Sequence, residues 1–563
     1  MNKSLITVLA LSVGVSAAAQ NLNPEVIVTN EYETKMPAVS KTDLAMASPD
    51  SLKEFKFSFD YSVFEHPYKG AYEFSPYVVE LVPDKSELQA SRFFLRAGAG
   101  YSLHPQFDFA WVPLRKKGAD ITLFQNFGGY FGKYRTVGAD LHTTAAREDG
   151  YDLSEVFGAR ARFKLFKTAE CEALVRYEGL FSSLSSESSS WNNVSAAAGV
   201  RSSAGSQFQY DLGLTFNAGV DRTVPGSVSA QSFTIGGRIE PVFENLGFRI
   251  LADLNVEYNA VSNALSTGSA VFSVAPKAAF RIGVLDLLAG INLAIPGSPA
   301  SNGGMYAGTG QIVYPDVQAN VGFLEGAINL YAAVTGGVKP VSYRSLKLDN
   351  HRLDLSWARG GALLQNEIER MNATIGLRGV ITDWFQYDAS AGYGFYADSP
   401  FFSVCNLLPA GQLAPVLGYA DQGLFHADIS ANLHRKAIDF DAALAFRSSN
   451  VASGTAPVVL PALFEGEGVF SYTFAGRVKA LVSAHASTAR KALVPDFDGS
   501  AYSDVKTMTL PGYVDLGIGA EYILNRNWNF WGRVGNLLNS DVQIMPLYVE
   551  DGINFTLGVC LKL

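Results

Sequence analysis

The residues able to do chemistry are few and scattered. The seven histidines are His66, His104, His142, His351, His426, His434 and His485; they include no His-Glu-x-x-His string and no pair four residues apart. No helical face therefore presents two imidazoles to one zinc ion. A Gly-x-Ser-x-Gly elbow and a Walker-type phosphate loop are also missing, which removes the commonest sequence signs of a serine hydrolase or a nucleotide-binding enzyme. Cys171, Cys405 and Cys560 are an odd number at no metal-ligand spacing, so neither a disulfide framework nor a thiolate site is indicated. Asp496 and Asp498 form one acidic pair within a loop. They could touch a divalent cation, but an oxygen-ligand site needs several more ligands, and two solvated loop charges are the plainer reading. The sequence predicts no catalytic residue, no cofactor and no metal, and the net charge of −9 argues against a nucleic-acid partner.

The pattern that organises the chain is instead at its end. In Ile553 to Leu563, one face is Ile553, Phe555, Leu557, Val559, Leu561 and Leu563, and the other is Asn554, Thr556, Gly558, Cys560 and Lys562. This is a strand with one oily face and one mostly polar or small face. Similar alternation recurs in Phe208 to Val220, Phe248 to Asn259 and Ile438 to Arg447, at about the nine to eleven residues that a tilted membrane-spanning strand needs. Charges on the second face would be costly in a dry sandwich core and are tolerated in a water-filled or protein-filled lumen. The expected fold is all-β, a transmembrane antiparallel β-barrel.

Connections between the alternating stretches give a strand number. Short ones are expected near Lys116 to Gly118, Lys167, Ala204, Glu244, Gly283, Glu325, Asp383, Arg435, Ala475 and Asn525. Longer ones are expected at Ser102–Pro105, Phe131–Asp152, Leu184–Ser190, Asp221–Gly226, Val261–Gly268 and Pro296–Thr309, and at Gly337–Asn372, Asp398–Asp421, Ser448–Pro461, Ser487–Thr509 and Leu538–Gly552. Ten short turns on one side and eleven long loops on the other make about 22 strands, with both ends of the chain on the short-turn side. Tyr101, Trp111, Tyr258, Trp384, Phe385, Phe395, Tyr396, Trp528 and Phe530 fall near expected strand ends, as in interfacial aromatic girdles. In the longest loop, Leu363, Leu364 and Ile368 at helical spacing suggest a helical piece over Ala362–Met371.

Residues 1–19 carry Lys3, an apolar run from Leu5 to Val15 and the small residues Ala17 to Ala19, the pattern of a cleaved secretory signal peptide. Residues 20–90 are richer in Pro and scattered charge and read as an extended periplasmic or lumen-inserted segment, leaving 91–563 as the barrel.

The tail Trp528 to Leu563, with Asn536-Leu537-Leu538-Asn539 before a Tyr- and Pro-containing loop and a Gly-containing final strand, resembles the end of TonB-dependent receptors. The family usually ends in Phe, where this chain has Leu563. Glu25, Val26, Ile27, Val28 and Thr29 resemble a TonB box. A plug domain of that family needs well over a hundred residues, and about 70 separate Gln20 from Ser91. The chain therefore looks more like plug-less, TonB-receptor-like outer-membrane proteins of Bacteroidota. That resemblance implies the cell outer membrane, contact with lipid and lipopolysaccharide, and insertion by barrel-assembly machinery through the strand bearing Phe555, Leu557, Val559, Leu561 and Leu563. It also implies other outer-membrane or periplasmic partners, TonB among them, and no enzymatic activity. Two functions follow as expectations. The first is a structural, partner-binding subunit of an outer-membrane complex, in line with assembly machinery. The alternative is a TonB-dependent or passive transporter of a small solute.

Overall fold

The computed structural model describes residues 92–563 except 102, 117, 166–167, 185–186, 204–205, 207, 224–226, 242–247, 264–266, 298–310, 325–326, 354–363, 383 and 453. Alternation at period two makes almost all of this chain strand. The first wall strands are β1 (Phe93–Tyr101), β2 (Gln106–Lys116), β3 (Ala119–Val137), β4 (Thr143–Leu165), β5 (Ala169–Leu184), β6 (Glu187–Ser202) and β7 (Phe208–Asp221). They continue as β8 (Val228–Pro241), β9 (Phe248–Asn263), β10 (Thr267–Ile282), β11 (Leu285–Gly297), β12 (Val313–Phe323) and β13 (Ile328–Lys339). One helix, α1 (Tyr343–Asp349), precedes β14 (Glu367–Ile381), β15 (Phe385–Leu407), β16 (Gln412–Arg435) and β17 (Ile438–Val451). After the two-residue β18 (Val458–Val459) come β19 (Phe464–Phe474), β20 (Val478–Ser487), β21 (Arg490–Phe497), β22 (Tyr502–Leu510), β23 (Tyr513–Ile523), β24 (Trp528–Gly535) and β25 (Asn554–Lys562).

Each wall strand pairs antiparallel with the next, and β18, β21 and β22 are bypassed, because β17 pairs with β19 and β20 with β23. β25 pairs with β1 from Phe94↔Lys562 to Tyr101↔Phe555. The result is a closed barrel of 22 strands. The ten short and eleven longer connections lie between the strands where the sequence places them. The longer ones are less loop-like than expected, since β3, β4, β15 and β16, each 19 to 24 residues long, run on into them as extended hairpins.

Burial is inverted relative to a water-soluble protein. On β7, Leu212, Leu214, Phe216 and Val220 are exposed, whereas Thr215, Asn217 and Asp221 are buried. On β25, Phe555 and Leu557 are exposed, as is Leu563 just after it, and Thr556, Cys560 and Lys562 are buried. The oily face therefore looks outward and the polar face inward, as lipid outside and a polar lumen require. Exposed Tyr101, Tyr258, Tyr393 and Phe395 mark the long-loop end, and Trp528, Tyr522, Tyr472 and Phe474 the short-turn end. Tyr396 departs from the girdle reading: it turns inward, where the Lys339 ammonium lies 5.6 Å from its ring centre.

The closing seam explains two glycines. Trp531 of β24 points inward at 6% exposure, and the Arg96 guanidinium stacks on it at 4.2 Å. A Cβ on Gly98 would lie 2.6 Å from the Trp531 ring, and one on Gly558 2.5 Å from it and 2.3 Å from the Ala97 carbonyl oxygen. No side chain larger than hydrogen fits under that ring.

The helical reading of Ala362–Met371 is corrected. Residues 361–363 lie outside the described residues, and Glu367 to Met371 open β14 instead. A β-bulge between Glu369 and Met371 in the pairing with β15 breaks the alternation. The helical spacing itself comes from Leu364, buried in the stretch before β14, and Ile368, buried within it, which stand four residues apart as on one face of a helix.

Candidate functional site

The site begins with α1, in the loop between β13 and β14. Ser342 caps it, its hydroxyl oxygen accepting the Ser345 N–H at 3.0 Å, and the Asn350 N–H closes it on the Leu346 carbonyl. A Ser cap satisfies one of the four N–H groups that a helix leaves open. Tyr343, Leu346 and Lys347 then fall on one face at i, i+3 and i+4, and all three are at most 2% exposed. That face rests on the inner wall. It packs into an apolar cluster with Leu180 of β5, Trp191 of β6, Val228 and Ala230 of β8 and Val261 of β9, joined by Leu353 and Leu417. Trp191 and Tyr343 have ring centres 5.5 Å apart. Trp191 lies across β7 so closely that a Cβ on Gly219 would be 2.1 Å from its ring.

Two ion pairs fasten the helix to the wall. Arg344 donates from Nε and Nη2 to the two carboxylate oxygens of Glu178, at 2.7 and 2.6 Å. Glu178 also receives Arg176 Nη2 at 3.0 Å and the Asn193 amide at 3.0 Å. Lys347 Nζ meets Asp221 at 3.2 Å, the Ser189 hydroxyl at 3.1 Å and the Leu353 carbonyl at 2.9 Å. The Tyr343 hydroxyl donates to the same Asp221 at 2.5 Å. The side chains of Lys347 and Asp221 are both 0% exposed. A pair buried this completely is sustained only by its full set of partners, and removing one charge strands the other.

Below α1 the wall carries a polar ladder. Ser195 donates to Asn217 at 2.5 Å, Asn217 to Ser232 at 2.9 Å, and Asn259 to Ser269 at 3.3 Å and Glu257 at 3.1 Å. Among the described residues, Asn193 Oδ1, Thr215 Oγ1, both amide atoms of Asn255 and Asn259 Oδ1 on this wall have no hydrogen-bond partner. Their residues are 1%, 7%, 4% and 1% exposed in that order. Each such atom costs about 1–3 kcal/mol unless something fills its shell. A cavity lies between Ser342–Arg344 and Asn193, Asn217, Ser232 and Asn259. Deeper along the wall, Lys277 is held by Asp253 at 2.8 Å and Asp316 at 2.5 Å, and Arg238 by Asp253 at 2.7 Å.

The other long connections form a cap at the same end. β15 and β16 extend beyond the wall, and β21 pairs with β15, β18 and β22 to make a small outer sheet. Its core includes Val404, Ala492, Val494 and Leu510, with Leu141 from the β3–β4 tip, all 0% exposed. Arg352, which follows α1, lies 4.9 Å from the ring centres of both Tyr134 and Tyr548. His351 meets Asp152 at 3.1 Å, and Arg135 meets Asp541 at 2.8 Å. The α1 segment is therefore joined to β3, β4 and the last long loop as well as to the wall.

The acidic pair singled out in the sequence is used within the outer sheet. The Asn406 amide donates to Asp496 at 2.7 Å and holds that carboxyl below its ordinary range. The Ala501 and Ser500 N–H groups do the same for Asp498, fixing a tight turn. Six histidines sit with separate partners, such as His104 with Asp551 at 2.9 Å and His426 with Asn372 at 3.0 Å; His66 lies outside the described residues. Among the described residues no group of three or more His, Cys, Asp or Glu side chains could hold a metal ion. The segment Glu25–Thr29 also lies outside the described residues. Sequence reasoning missed α1 and both of its anchors. The available sign was Ser342 after Pro340, followed by Tyr343, Leu346 and Lys347 and stopped at Asn350. Nothing local pointed to Glu178, 166 residues away.

No protein-family model and no curated protein matches the chain. Solved structures do. The FrpB iron transporter from Neisseria meningitidis is similar over 84% of this chain and 82% of its own, with 9% identity and a TM-score of 0.64. The copper transporter OprC is similar over 84% and 80%, with 13% identity and a TM-score of 0.58. The ferric enterobactin receptor PfeA from Pseudomonas aeruginosa, solved as a point mutant, is similar over 84% and 80%, with 10% identity and a TM-score of 0.58. At these identities the likeness is one of fold. A closed barrel of 22 strands, apolar outside and polar inside, with neighbours of this kind belongs in the outer membrane. The neighbours are transporters and receptors, not enzymes.

Proposed function

We propose that this chain is an outer-membrane transporter of a small solute, with the α1 segment as the gate of its extracellular mouth. The observation that carries the reading is the docking of α1 on the inner wall through Arg344–Glu178 and Lys347–Asp221. A barrel of this width leaks unless its lumen is closed, and a helix held to the inner wall by two ion pairs is an element that can close it and be released. Iron, copper and ferric-siderophore proteins among the structural neighbours support transport over the partner-binding, assembly-subunit reading, which rests on the shortness of residues 20–90. Energy input through TonB would use Glu25–Thr29, and insertion by the assembly machinery would use the strand bearing Phe555, Leu557, Val559, Leu561 and Leu563. The exposed apolar belt supports contact with lipid and, in this reading, with lipopolysaccharide.

The test is solute entry into proteoliposomes, and uptake by cells that carry the chain with and without residues 25–29. Solute-selective entry supports transport. Loss of uptake on deletion supports the TonB-driven form, and unchanged uptake leaves a passive pore. A chain that admits no solute in either assay, and is isolated only in a stoichiometric complex, would return the assignment to the partner-binding subunit.

A further inference from the structure

The polar ladder beneath α1 has more hydrogen-bonding capacity than the described residues use, and its layout selects a ligand. Asn255, Glu257 and Asn259 alternate along the inner face of β9, Thr215 stands on β7 and Asn193 on β6. Every one of these residues is at most 9% exposed. Asn193, Thr215, Asn255 and Asn259 hold the unpartnered atoms, and the Glu257 carboxylate meets only the Asn259 amide, with no cation within 4 Å among the described residues. The neighbouring charges on this wall are already matched: Arg176 and Arg344 with Glu178, Lys347 with Asp221, and Arg238 and Lys277 with Asp253.

We propose that this face of β6–β9 is the binding track of the transporter and that its substrate class is an uncharged, hydroxyl-rich chain of oligosaccharide size. This rests on the transport reading. An anion finds no unpaired cation here and faces Glu257. A metal cation bonds oxygen at about 2.3–2.6 Å, but Asn255 and Asn259 are four residues apart on an extended strand, about 14 Å. A point charge satisfies one rung and leaves the others. A ligand with hydroxyls spaced along its length supplies donors to the amide oxygens and to Glu257, and acceptors to Asn255 Nδ2. α1 covers the outer end of the track, since Ser342 to Arg344 line the same cavity as Asn193 and Asn259. The ligand and the docked helix therefore compete, and release of α1 strengthens binding.

The experiment is calorimetric titration of the full-length protein, in a detergent without a sugar headgroup, with maltohexaose, spermidine and calcium as probes. The expected result is saturable maltohexaose binding that is weakened at least tenfold by Asn255→Leu with Asn259→Leu, and tightened by Lys347→Met. Glu257→Gln keeps the hydrogen-bonding shape and stays within about threefold for maltohexaose; it gives a second reading where the double variant does not fold. Absence of maltohexaose binding in both the natural protein and Lys347→Met would mean that ordered water fills the ladder, and would overturn the proposal. Stronger binding of spermidine or calcium, abolished by Glu257→Gln, would overturn it in favour of a cation site. Liposome swelling separates the two readings. No swelling with any solute, together with no uptake by cells that carry the chain, refutes transport, whereas equal entry of charged and uncharged solutes without maltohexaose binding refutes only the ligand class.

Discussion

Replacing Lys347 by Met keeps the length and apolar stem of the side chain and removes its ammonium. Asp221 is then left at 0% exposure with the Tyr343 hydroxyl and Thr223 as its remaining partners. Breaking one side of a buried pair costs about 3–5 kcal/mol, since an uncompensated charge stays in a low-dielectric site. No allowance for solvent screening applies, because neither side chain is accessible. The wall strands do not depend on this contact, so the cost falls on the docking of α1. At tenfold per 1.4 kcal/mol, the undocked fraction rises by about two to three orders of magnitude. Leu353→Cys, at a position 1% exposed and packed in the same cluster, reports the change. In the natural background a maleimide should label it slowly, and with Lys347→Met it should label at least a hundredfold faster. Asp221→Asn added to Lys347→Met should restore most of the protection, because it removes the stranded charge. Equal labelling rates with and without Lys347→Met would refute the reasoning that α1 is held by this pair.

Three further outcomes follow from the wall and the cap. Burial pushes the Cys405 thiol up to about 11, from an ordinary value of 9, so its thiolate fraction at pH 8 falls about a hundredfold. Alkylation of the folded protein at Cys405 should be slow at pH 8, rise toward pH 11 and become fast on unfolding, as followed by mass spectrometry. Leu557 is 62% exposed on the lipid face; Leu557→Arg should destabilise the inserted barrel by about 2–4 kcal/mol if the site lies near the bilayer midplane, read from urea titration in liposomes. Gly558→Val should disrupt the closing seam by forcing a side chain against Trp531 and the Ala97 carbonyl, at about 1–3 kcal/mol or more, seen as loss of heat-modifiable gel mobility.

The barrel was legible because its signal is repeated. A strand such as Phe208 to Val220 states its two faces at every residue, and lipid outside a polar lumen leaves one arrangement for them. Turns such as Gly283 and Lys436 interrupt that alternation sharply, with positive φ values of 61° and 54°, so the strand number could be counted. The gate was not legible for the opposite reason. Arg344 and Lys347 look like ordinary charges on a short loop helix until Glu178 and Asp221, far apart in the chain, are brought beneath them by the wall. Leu364 and Ile368 misled because both are buried four residues apart, one before β14 and one within it, which imitates a helical face. Among the ladder residues, Asn255, Glu257 and Asn259 were visible as inward-facing positions of β9. That they lack partners depends on side chains from neighbouring strands, which periodicity does not supply.

The most direct test of the gate is single-channel recording in a planar bilayer, comparing the natural full-length chain with Arg344→Met and Lys347→Met together. The account predicts rare, small openings for the natural chain and long, larger openings when both anchors are removed. The same conductance and the same open time in the two proteins would contradict it.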